Sequence, residues 1–172
     1  MSDCETGFAS LYHIDVAEGN TELLQLDERQ VVYPSINFTC RGTIRKWIVG
    51  AEWRGNSDAY TELQIWRRIS GSIYTKVGST TIMVGTENDS QLYEYPLETP
   101  LAFQEGDILG YFQPNKDNSE LDLYLEDSER PTAYFNEVDG LGPPTGPFDV
   151  SDADNDSHYP LITVVTGIPA SD

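Results

Sequence analysis

The chain is short of positive charge, of cysteine and histidine, and of long apolar runs, and each shortage closes off a class of function. Ten Lys and Arg stand against 29 Asp and Glu, a formal net charge of −19 over 172 residues. Such a chain is repelled by nucleic acid and by anionic membrane surfaces, which leaves cationic partners, divalent ions and neutral ligands such as sugars. No stretch approaches the roughly 18 consecutive apolar residues of a membrane span. Only two histidines, His13 and His158, are present, and no GxSxG, phosphate-cradling glycine loop or zinc-type Cys/His cluster accompanies them. The expectation is a non-enzymatic protein with no catalytic residue to assign. Glycosidase chemistry needs only two carboxylates at a suitable separation. Among 29 acids such a pair arises by chance, so it discriminates little.

What is present is β-forming and turn-forming. Hydrophobic residues make up 38% and aromatics 11% of the chain, enough for a core at a length suited to one domain. Residues 43–53, TIRKWIVGAEW, place Trp47, Val49, Ala51 and Trp53 on one face of an extended segment. Residues 61–68, TELQIWRR, place Leu63 and Ile65 on one face and Glu62, Gln64 and Trp66 on the other. Similar short runs recur to the end of the chain, each bounded by Gly, Pro, Asn or Asp. Residues 21–30 could form a helical turn, but the VVYPS that follows favours extended chain. The pattern predicts an all-β fold, a single-domain antiparallel β-sandwich or jelly roll. Residues 139–158, DGLGPPTGPFDVSDADNDSH, read as one long Gly/Pro/Asp-rich loop, of the length that is usually functional or mobile. Gly106-Asp107, between apolar runs, reads as a hairpin turn.

Within the long loop, Asp152, Asp154 and Asp156 alternate, with Asp149 upstream. Calcium takes six to eight oxygens, and carboxylates at this spacing can converge on one ion. An EF-hand would continue with Gly at the sixth position and Glu at the twelfth; Ser157 and Thr163 stand there instead. Calcium is thus the one candidate ion, in a non-EF loop. The loop also contains Asn155-Asp156-Ser157, a glycan acceptor pattern that recurs at Asn37 and Asn88. A glycan on Asn155 is expected to crowd an ion shared by Asp154 and Asp156. Charge is polarised as well: residues 41–76 carry a net +4 and residues 115–156 a net −10. That arrangement either decorates strand faces or docks a partner. Trp66, opposite Leu63 and Ile65, is the best exposed candidate for stacking on a sugar, whereas Trp47 and Trp53 suit the core.

Cys4 and Cys40 lie outside any metal-type spacing. They are either paired, tying the N-terminal segment to the region near residue 40, or two unrelated thiols; a bond closing that loop is worth roughly 3–4 kcal/mol. Two cysteines, three sequons and no intracellular cofactor motif indicate a secretory origin. The start, MSDCETGF, holds no apolar signal core, so the chain is expected to be a mature extracellular fragment.

Pro34-Ser35-Ile36-Asn37-Phe38-Thr39-Cys40-Arg41-Gly42-Thr43-Ile44 with Trp47, then ELQIWR at 62–67, Tyr74, Val77-Gly78 and FQEGDILGYFQP at 103–114, resemble an extracellular module of receptor-like and adhesion proteins of sponges and cnidarians. The likeness covers most of residues 4–135. It implies a β-sandwich ectodomain with a Cys4–Cys40 bond and no particular ligand. The first functional expectation is therefore an extracellular recognition module acting through protein contacts, with a homo-oligomer among the possible partners. A calcium-dependent, lectin-like glycan binder is the alternative, and an acidic matrix or mineral-associated protein the second.

Overall fold

A computed structural model describes residues 29–55, 60–83, 90–113, 119–123, 125–138 and 143–168. Apart from one turn of 3-10 helix, Val150–Asp152, every regular element in them is a strand. The strands are β1 (Arg29–Asn37), β2 (Gly42–Gly55), β3 (Tyr60–Ser70), β4 (Ile73–Met83), β5 (Ser90–Phe103), β6 (Ile108–Gln113) and β7 (Ser119–Leu123). There follow β8 (Leu125–Asp127), β9 (Ala133–Glu137), β10 (Phe148–Asp149), β11 (Asp154–Asp156), β12 (His158–Pro160) and β13 (Ile162–Gly167).

All pairings are antiparallel. A seven-stranded sheet runs in the order β10-β4-β3-β6-β1-β9-β11. A second sheet runs β13-β2-β5, with β7 on the same strand β2, and β12 pairs with β8. The expected all-β sandwich is what forms. Its core lies between the sheets: Val31, Tyr33, Leu63, Ile65, Leu109 and Tyr111 from one, Ile44, Trp47, Val49 and Ala51 from the other, with Phe38 stacked on Phe103 at 3.8 Å. Trp47 also donates from Nε1 to Thr80 Oγ1 at 3.1 Å, joining β2 to β4 across the sandwich.

Strand β6, ILGYFQ, is buried at all six positions, so it is central and covered on both faces. The face away from the main core holds a second cluster: Val32, Trp66, Tyr74, Ile108 and Phe148, with Tyr134, Val150 and Ala153 against it. Phe148, Val150 and Ala153 come from the Gly/Pro/Asp-rich segment. That segment is not a free loop. It pairs with β4 as β10, turns through the 3-10 helix, and pairs with β9 as β11. Six strand spacings in a flat sheet would separate β10 from β11 by about 29 Å. Asp149 to Asp154 can span only about 17 Å. The sheet therefore twists and curls until its two edges approach, and the segment straps them together over Trp66.

Turn chemistry follows the glycines. Gly71 between β3 and β4 has φ 51° and Gly106 has φ 88°, a region L side chains disfavour. At Gly106-Asp107 the expected tight turn forms, with Asp107 Oδ2 accepting from the Gln104 amide at 2.8 Å. It joins two sheets instead of a paired hairpin, since β5 and β6 belong to different sheets.

Candidate recognition surfaces

The four aspartates do different jobs. Asp149 caps the 3-10 helix: its Oδ1 accepts from Ser72 Oγ at 2.6 Å, from Ser151 Oγ at 2.7 Å and from the Ser151 amide at 3.0 Å. Hydrogen bonds from Ser72 and then Ser151 hold its carboxyl below the usual carboxylate value. Asp152 is exposed in the helical turn. Asp154 and Asp156 share one face of β11, where Asp156 Oδ1 accepts from the Ser157 amide at 2.8 Å and Oδ2 lies 3.3 Å from His158 Nδ1. Among the described residues, no three His, Cys, Asp or Glu come together as metal ligands. The expected calcium loop of Asp149, Asp152, Asp154 and Asp156 is thus not assembled: the first is spent on a cap, Asp152 stands in the helical turn, and Asp154 and Asp156 lie together on β11 with no third ligand converging on them among the described residues. The expected crowding of ion and glycan also goes, because strand alternation turns Asn155 to the face opposite Asp154 and Asp156.

Short, charged β11 has a plainer role. Among the described strands it forms the outer edge of the seven-stranded sheet, and edge strands are kept from pairing with other chains by shortness, charge, proline or bulges. Asp-Asn-Asp at that edge meets the first two. At the opposite edge, β10 is two residues long, and β4 beyond it carries Lys76 and a bulge at Val77. In the second sheet, edge strand β5 carries Pro96, Pro100, Glu94 and Glu98.

Trp66, expected to be exposed, is 0% accessible. Its indole lies over the backbone of Gly110, where an added Cβ would come within 2.6 Å of the ring, and against the edge of Phe148 with centroids 6.1 Å apart. Its Nε1 donates to Gln64 Oε1 at 2.8 Å. Gln64 and Gln30, both 0% exposed, exchange amide hydrogen bonds at 2.6 and 3.0 Å. Gln64 Nε2 also reaches Glu62 Oε1, which accepts from Lys76 Nζ at 2.8 Å. The sequence signal for this buried polar ladder was the shared face of Glu62, Gln64 and Trp66, which reads equally well as a solvent face. The covering strap decides.

Two further polar groups are interior. Asp107, 1% exposed, receives both Arg67 Nε at 2.8 Å and Arg67 NH2 at 2.9 Å. Tyr33, inside the main core, bonds through its hydroxyl to His158 Nε2 at 2.9 Å, and Thr132 Oγ1 donates to the His158 carbonyl. Of the other tyrosines, Tyr93, Tyr95 and Tyr134 are half-buried, and Tyr111 is fully buried. Tyr124, Trp53's side chain, His13, Cys4 and Asn88 lie outside the described residues or side chains. Cys40 is half-buried against the main core. Asn37 is half-buried at the end of β1, and Asn155 is exposed.

Large apolar side chains do face outward. Ile69 is 59%, Val77 38%, Val165 41% and Ile168 73% exposed. Val165 and Ile168 lie in or beside β13, which pairs with β2 from Ile162↔Val49 to Gly167↔Thr43 and forms the other edge of the second sheet. Among the described residues, no helix is long and apolar enough to cross a membrane. No protein-family model, no curated protein and no solved structure matches the chain.

Proposed function

We propose that this chain is a non-enzymatic extracellular recognition module that acts through protein contacts. The observation that carries the reading is the outward display of branched aliphatic side chains on rigid strands: Ile69 on β3, Val77 on β4, Val165 on β13 and Ile168 beside it. Aliphatic groups held outward on a strongly acidic domain are what a protein partner can cover at little cost in entropy. The glycan-binding alternative drew on an exposed Trp66 and on converging aspartates. Trp66 is buried and Asp149 is committed to a cap, so that reading has lost both supports. The Cys4–Cys40 bond and glycans at Asn37, Asn88 and Asn155 belong to the same extracellular reading; non-reducing intact mass, before and after enzymatic deglycosylation of secreted protein, checks both.

The reading is tested on a glycan array probed with calcium and with chelator, beside thermal melting under the same two conditions. A blank array and an unchanged melt are expected. Specific glycan capture that calcium switches on would replace this reading with the lectin-like one, since a ligand at 100 times its Kd adds about 2.7 kcal/mol of stability.

A further inference from the structure

We infer that the edge of β13 left unpaired among the described residues is a self-association site, and that its partner is β13 of a second copy, added antiparallel about a two-fold axis so that the β13-β2-β5 sheet continues across the dimer. The inference rests on the reading that the module works through protein contacts and names the partner.

Three observations carry it. First, β13 lacks every protective device the other described edges have. Its six residues, Ile-Thr-Val-Val-Thr-Gly, contain no charge and no proline. The bulge in its pairing lies on β2, where Arg45 is the extra residue between Ile44 and Lys46, so β13 itself runs straight. Such a strand offers its outer row of amides and carbonyls to any extended chain.

Second, charge selects the occupant. Residues 159–171 form a thirteen-residue stretch with no Asp, Glu, Lys, Arg or His, in a chain of net charge −19. The neighbouring strand contributes Arg45 and Lys46. Here two copies can approach without bringing carboxylates face to face, whereas β11 and β5 would oppose Asp to Asp or Glu to Glu.

Third, the strand is self-complementary. A two-fold axis at Val165 sets Val165 opposite its own mate and Val164 opposite Thr166, uncharged β-branched pairs that favour cross-strand pairing. Val165, 41% exposed on the outer face, gains cover from its symmetry mate, and Val164 stays in the core.

Sedimentation equilibrium of the whole chain over a concentration series tests this, at low and at high salt, for the native sequence, Val165→Lys and Asn136→Lys, the last at an exposed position of β9 in the other sheet. The native protein is expected to be a monomer–dimer equilibrium that tightens with added salt, because screening relieves the repulsion of two acidic bodies. Val165→Lys is expected to weaken association by about tenfold or more, as an edge lysine should, and Asn136→Lys to leave it unchanged. Hydrogen exchange on the native protein supplies a readout that does not depend on a variant folding: amides of 162–167 should gain protection as concentration rises. A monomer up to about 1 mM would overturn the proposal. So would a dimer that salt dissolves, which points to basic-to-acidic docking, or protection that rises outside β13. A blank glycan array with a strict monomer would leave the protein-contact reading standing with a different partner; a positive array would remove the parent reading whatever the dimer does.

Discussion

The seven-stranded sheet has a hydrophobic cluster on each face, and the two are built by different means. The main core between the sheets is assembled from alternate residues of long strands, and each strand shows its inward face in its own sequence. The cluster on the other face is closed by a segment that is mostly Gly, Pro, Ser and Asp, with Phe148, Val150 and Ala153 as its apolar contribution. The first is redundant: many strands share it. The second depends on a strap held at both ends, by pairing to β4 and to β9, and pinned by Asp149. The comparison shows that a segment's composition does not reveal its burial. Three apolar side chains in the right register are enough to convert a polar linker into the lid of a core.

The main core should yield the largest effect. Trp47→Ala removes a fully buried indole and the bond to Thr80 that joins the sheets; a loss of about 3–5 kcal/mol is expected, read as a cooperative drop in the melting temperature. Phe148→Ala attacks the other side. A cost of about 3 kcal/mol, at the low end for this change because the strap can settle, is expected, with the distinguishing sign that amides of 148–156 exchange faster while those of β2 do not. If both variants loosened all amides equally, the two clusters would be one cooperative unit and the contrast would fail.

Gln64→Leu sharpens the contrast by chemistry instead of volume. It leaves the buried Gln30 Oε1 and Trp66 Nε1 without their partner, for about 1–3 kcal/mol. Adding Gln30→Leu should recover part of that loss, a coupling that a double-mutant cycle measures.

The smallest expected effects separate the two faces by pH. Asp149 has a carboxyl held below its ordinary value of 3.8 by Ser72 and Ser151. Its contribution is present above that value and lost as pH falls through the lower folded one, so acid should loosen the strap first, visible as accelerated exchange at residues 148–156. Alkali should act on the other face. Burial pushes Tyr95 up to about 12, and also raises Tyr33 and Tyr111 in the main core. Stability from these groups is complete below pH 10 and declines above it, as the unfolded chain ionises first. Ultraviolet titration should show their ionisation together with unfolding, not before it.

Much of the main core was legible in advance. The period-two patterns of residues 43–53 and 61–68 named Trp47, Val49, Ala51, Leu63 and Ile65, and the turn residues named Gly106-Asp107. What was not legible followed from pairing between distant segments. Glu62-Gln64-Trp66 looks like a solvent face until the strap of Phe148, Val150 and Ala153 covers it. The alternating aspartates look like ion ligands until one is seen capping a helical turn and two are seen guarding a sheet edge. The ITVVTG strand was visible as a strand, but its status as an unguarded edge depends on which neighbours it lacks.

The seat of Trp66 on Gly110 has an optical consequence. An indole in a dry site, with its N–H held by a side-chain carbonyl, emits at short wavelength, and it shifts to the red when water reaches it. Lifting the strap would wet Trp66 while leaving Trp47, on the far side of the sheet, dry and its emission unshifted. The protein thus carries a built-in fluorophore beneath the strap, and the strap's opening can be followed by colour, without a label.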